Sequence, residues 1–153
     1  MKKIGLLFIV IFCLFLTACG EKEEKTVKGL SEFSVISANL GFDVASNMDN
    51  YTDVDYISDS MIATLDDMSV EMVIYDSEEN AIKAQDNQID TFNKMKGSGA
   101  NVDNDKGKNY HKYTMITNGY YMVSSRVDNT LIFSRIPVDN KDKVESILEQ
   151  LEY

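Results

Sequence analysis

Asn118-Gly119 stands between two runs, Tyr110–Thr117 and Tyr120–Val127, that are rich in β-branched and aromatic residues. An Asn-Gly pair in that setting suits a two-residue turn with positive φ, and so predicts an antiparallel hairpin. Asp128-Asn129 is a weaker second turn leading into residues 130–136. Pairing across the two turns sets Ile116 opposite Tyr121, Thr114 opposite Val123, Ser125 opposite Ile132 and Tyr121 opposite Ile136. One face of the three-stranded meander is then largely apolar. The other carries Tyr113, Met115, Tyr120, Met122, Leu131 and Phe133, which is greasy for a solvent face. Either helices cover it and it is core, or Tyr113, Tyr120 and Phe133 form an exposed aromatic patch for a partner or an apolar ligand.

The remaining segments add elements around this meander. Leu30, Phe33, Ser37 and Leu40 fall at helical spacing ahead of Gly41, which predicts a helix over 30–40 with a glycine stop. Phe42 and Val44 follow in an extended segment, and residues 47–59 read as a polar, Asp-rich loop. Residues 60–65 and 70–75 are short apolar runs separated by Asp66-Asp67-Met68-Ser69, a hairpin with a four-residue turn. Asp76-Ser77-Glu78-Glu79 resembles a capping box. Ala81, Ile82, Ile89, Phe92 and Met95 then make one apolar helix face to about residue 96. Residues 97–109, with three glycines and three asparagines, read as loop. Beyond Pro137, Asp139 or Asn140 can cap a last helix striped by Val144, Ile147, Leu148 and Leu151. The order α-β-β-α-β-β-β-α predicts one α+β domain, mainly an antiparallel sheet of about five strands covered by helices.

Charge is unevenly distributed. Residues 29–82 hold 12 acidic side chains and no Lys or Arg, whereas 83–153 balance 10 of each sign. Such acidity excludes a nucleic-acid partner, whose phosphates it would repel. It offers two readings: a cation-collecting or basic-partner surface built by Asp49, Asp53, Asp55, Asp59, Asp66 and Asp67, or a solvated face that keeps the domain soluble.

The N-terminus constrains location. Lys2 and Lys3 precede an uncharged apolar run that ends in Leu16-Thr17-Ala18-Cys19. The apolar run from Ile4 to Ala18 is 15 residues, short of the roughly 20 that span a bilayer core. The layout is that of a secretory signal peptide, and Leu16-Thr17-Ala18-Cys19 resembles the lipobox of bacterial lipoproteins. That resemblance implies cleavage before Cys19, a diacylglyceryl thioether on its sulfur, and anchoring of the mature chain in the cell membrane on the extracytoplasmic side. Residues 1–18 are then signal peptide, 19–29 a lipidated Cys with a charged tether, and 30–153 the acidic domain. Cys13 leaves with the signal and Cys19 is consumed by lipid, so no disulfide is expected. Leu40-Gly41-Phe42-Asp43-Val44, Val127-Asp128-Asn129-Thr130-Leu131-Ile132 and the terminal Ile147-Leu148-Glu149-Gln150-Leu151-Glu152-Tyr153 resemble small lipoproteins of Gram-positive bacteria, a family that implies an acidic α+β domain and supplies no catalytic residues.

Few residues suggest chemistry. Asn101, Asp103, Asp105 and Gly107 alternate as calcium-loop ligands do, but Lys106 occupies the position that needs Gly and no Glu closes the loop. His111 is the only His, so a zinc site would lack ligands. The register places it opposite Arg126, which discourages its protonation, and no nucleophile motif accompanies it. The reading is a surface His, no enzyme and no cofactor. The expected function is a binding domain that presents Asp53, Asp55 and Asp59, or the Tyr113, Tyr120 and Phe133 face, to a protein or cell-wall partner. The alternative is a small-molecule or calcium-binding lipoprotein, and a weaker one an enzyme using His111.

Overall fold

Seven β-strands, not five, form one antiparallel sheet in the computed structural model, which describes residues 22–153. The chain runs α1 (Leu30–Asn39), β1 (Asp43–Ser46), a 3₁₀ turn (Met48–Tyr51), β2 (Ile57–Leu65), β3 (Met68–Tyr75) and α2 (Glu78–Lys94). It continues β4 (Asn101–Lys106), β5 (Tyr110–Thr117), β6 (Tyr120–Val127), β7 (Thr130–Pro137), a 3₁₀ turn (Val138–Asn140) and α3 (Lys141–Leu151). Strand order is β1-β2-β3-β7-β6-β5-β4, with every neighbouring pair antiparallel. The four pairings expected across the Asn118-Gly119 and Asp128-Asn129 turns are all present.

The two unexpected strands lie at the sheet's edges. β4, Asn-Val-Asp-Asn-Asp-Lys, contains one apolar residue and owes its conformation to pairing with β5 from Asn101↔Ile116 to Lys106↔His111. An edge strand needs only one hydrogen-bonded side, and polar residues there discourage further pairing. The β2–β3 hairpin is tighter than expected, because Leu65 pairs with Met68 and leaves only Asp66-Asp67 as the turn. Asp66 takes a left-handed φ of 54°.

The helices divide between the faces. α1 and α3 pack on one, where Phe33, Ile132, Ile136, Ile147, Leu148 and Leu151 are buried. α2 lies on the other, its Ala81 and Phe92 over Leu131, Tyr113, Met115 and Met122. Ile82, expected on the buried face of α2, is exposed. The glycine stop of α1 is as expected: Gly41 has φ 89°, its N–H donates to Ala38 O at 3.0 Å, and the Phe42 N–H donates to Ser37 O at 3.0 Å. α3 ends the same way without a glycine. Glu152 holds φ 64° while Tyr153 N donates to Leu148 O at 2.9 Å. At the start of α3 neither Asp139 nor Asn140 caps with its side chain; the chain enters through the 3₁₀ turn.

Residues 22–29 form no helix or strand, yet they do not hang free. Asn109 clamps the Lys25 backbone, donating to its O at 2.8 Å and accepting from its N at 2.9 Å. The Lys25 ammonium sits 4.5 Å from the Tyr110 ring centroid, and Val27 packs against the core. Tyr153 donates to Lys28 O at 3.3 Å. This part of the expected tether is laid on the domain, because backbone groups and one apolar residue find partners that its charged composition does not reveal. The lipobox and Cys19 lie outside the described residues. Among the described residues no helix is long and apolar enough to cross a membrane.

Candidate binding groove

Period-two geometry points Asn101, Asp103 and Asp105 of β4 to one side of the sheet, the side that carries α3. The alternation that resembles a calcium loop is therefore the repeat of a strand. α3 leaves the β4 edge uncovered, and between them runs a groove of about 530 Å³. Lys112, Thr114 and Ile116 of β5 and Tyr121 of β6 form its floor, and Lys141, Asp142, Glu145 and Glu149 of α3 its far wall.

The floor is a closed network. Glu145 accepts from Lys112 Nζ at 2.7 Å through Oε2 and from the Tyr121 hydroxyl through Oε1. Burial pushes the Glu145 carboxyl up, but the Lys112 and Tyr121 hydrogen bonds outweigh it and hold it below the usual carboxylate range. Burial, then the Glu145 carboxylate, pushes the Tyr121 phenol well above its ordinary value. Lys141 lies 5.5 Å from the Tyr121 ring centroid. Lys112 is thus ion-paired within the groove, while Lys141 lies over the Tyr121 ring. Asp105 pairs with Lys22 of the N-terminal segment, while Asp103, Asp142 and Glu149 edge the groove as acids. Carboxylates outnumber lysines in the lining, so its field favours cations, and the phenol and Thr114 add hydrogen-bonding capacity. No nucleophile with an adjacent base lies in it. Among the described residues, no three His, Cys, Asp or Glu side chains gather to hold a metal ion.

The residues singled out from sequence are dispersed. Tyr113 is covered by α2 and its hydroxyl donates to Asn93 Oδ1 at 3.0 Å. Phe133 is partly buried against the cluster of Ile57, Val73, Tyr75, Ala81 and Leu131. Tyr120 is exposed at the end of β6 with the Arg135 guanidinium 4.0 Å above its ring centroid. The aromatic face is therefore core with one exposed corner, not an open patch. Asp53, Asp55 and Asp59 are exposed near the start of β2, while Asp66 and Asp67 stand at its other end, so the acids do not converge. Their loop is pinned from beneath: buried Glu71 accepts through Oε1 from Asn47 Nδ2 at 2.6 Å, the Tyr51 hydroxyl at 2.6 Å and Ser60 Oγ at 2.9 Å.

His111 is not a surface residue. It pairs with Arg126 across β5 and β6 as expected, but is buried on the α2 side, with Nε2 2.8 Å from Asn104 Oδ1. Burial first, then the charges of Lys106 and Arg126, brings its pKa down to about 4. The groove residues escaped the sequence reading, although the spacing of Asn101, Asp103 and Asp105 was their signal.

No family model matches this sequence, and no curated protein matches it. Among solved structures, the chain is similar to a GTP binding regulator from Thermotoga maritima at 17% identity and a TM-score of 0.45, over 82% of this chain and 88% of that one.

Proposed function

We propose that this protein is a lipid-anchored binding domain of the bacterial cell envelope, and that the groove between β4 and α3 seats a ligand with amine or guanidinium groups. The lipobox-like Leu16-Thr17-Ala18-Cys19 supports the anchor. The observation that carries the binding reading is the groove itself. It has an acidic rim, a floor whose carboxylate and phenol are already hydrogen-bonded, and a floor lysine, Lys112, that is ion-paired with Glu145. A basic protein segment or an amine-bearing wall component fits that chemistry. The same lining would accept a small polyamine, so spermidine serves as the probe.

Spermidine titrated into the ¹⁵N-labelled full chain in neutral detergent should shift amides of β4 and α3 saturably. Asp103→Asn combined with Glu149→Gln should weaken binding about tenfold. Shifts spread evenly over the exposed acids, Asp53 and Asp55 included, would refute the groove as the seat. For the anchor, Cys19→Ala should abolish incorporation of labelled fatty acid and alter processing of the precursor; normal maturation and membrane retention would contradict lipidation.

A further inference from the structure

On the opposite side of the sheet, α2 and the β4–β5 turn enclose a second cleft of about 220 Å³. Lys106, His111 and Arg126 reach it from three adjacent strands, and Gln85 and Asp86 from α2. Arg126 is only 7% exposed. Its Nη1 is fully occupied, donating to Glu78 Oε1 at 3.0 Å, to Asp128 O at 2.9 Å and to Asn109 O at 3.5 Å. Its Nε is buried with no acceptor in reach among the described residues. A buried donor on a charged group without an acceptor is costly and rare, and calls for an explanation. Lys106 stands exposed at the rim and enters no ion pair among the described residues. In a chain of net charge −10, this is a spot where cationic groups converge on a cavity.

We propose that this cleft binds a small oxyanion of the phosphate class, inorganic phosphate or a phosphate monoester, between Lys106, Arg126 and His111. An anionic oxygen in the cleft gives the Arg126 guanidinium a further acceptor, and Nε, which has no exposed surface here, gains it when the side chain turns towards the cleft, in a charge-assisted hydrogen bond. Donors approaching from β4, β5 and β6 suit an anion with several oxygens better than a carboxylate with two. The facing acids are few: Asp86 on α2, and Glu78, which is already bound to Arg126; Asp105 of β4 acts on His111 only from the other side of the sheet. Bound anion would offset the positive charges of Lys106 and Arg126 and favour the imidazolium, so His111 reports occupancy. The site lies across the sheet from the acidic groove and takes ligand of opposite charge, so it stands or falls independently of the groove.

The test uses the untagged full chain in neutral detergent, in which His111 is the only imidazole. Inorganic phosphate is titrated at constant ionic strength against chloride while the ring signals are followed by NMR. The expected result is a saturable shift, with the His111 midpoint moving upward by about one unit. In Lys106→Ala, an exposed position that leaves the fold intact, phosphate affinity should fall at least tenfold. Arg126→Lys should do the same if it folds. Ring signals that stay put, shift without saturating, or respond equally in Lys106→Ala would overturn the proposal.

Discussion

Glu71 shows how much one buried side chain can organise. A single carboxylate oxygen collects hydrogen bonds from Asn47, Tyr51 and Ser60 and so ties the Asp-rich loop to the sheet. Glu71→Ala leaves those donors without an acceptor and should lower unfolding stability by about 3 kcal/mol, read by urea denaturation, with protease cleavage appearing in residues 47–56. Tyr51→Phe removes one donor and should cost about 1 kcal/mol. His111 acts through pH. Its folded pKa of about 4 lies below the usual 6.5, so the native state keeps the ring neutral while the unfolded chain takes up a proton first. Stability is complete above pH 6.5 and falls as pH drops towards 4, by on the order of 3 kcal/mol. Thermal melts across that range should be flatter in His111→Gln; an unchanged profile would show that the ring does not carry the effect. The pairing of His111 with Arg126 was legible in the sequence from the turn alone. Its burial was not, because α2 is supplied from a different segment.

Among the elements, the β4–β5 hairpin is held together at Gly107. A Cβ there would come within 1.9 Å of the Tyr110 ring, which also carries Lys25 of the N-terminal segment. Gly107→Ala must displace that ring, and should destabilise the domain by about 2 kcal/mol while speeding amide exchange in β4. The reverse change is available at the end of α3, where Glu152 holds φ 64°. Glu152→Gly should stabilise by about 0.5 kcal/mol, since relief of a left-handed side chain exceeds the loss of the solvent-screened pair with Lys28. Helices and hairpins were legible where apolar periodicity met a turn or stop: the stripe of α3, the Gly41 stop and the Asn118-Gly119 turn. β4 was not, because an edge strand of polar residues has no periodic apolar signal. With β4 read as loop, the groove had no wall.

For the whole molecule, the N-terminal segment decides how the domain is held. Residues 22–29 interact with Asn109, Tyr110, Tyr153 and the core, so a chain starting at Gly29 should melt lower, by about 1–2 kcal/mol of stability; a free tether would leave the melt unchanged. The sequence by itself determined the alternation of helices and hairpins, the register of the meander and the acidic first half, because these rest on local φ/ψ preference, side-chain period and composition. Tertiary structure alone decided which sheet face each helix covers, that Tyr113 is core, that His111 is buried, and that β4 and α3 enclose an acidic groove while α2 and β4–β5 enclose a basic cleft. Those outcomes depend on contacts between segments far apart in the chain, whose free energy is settled only when both surfaces are present.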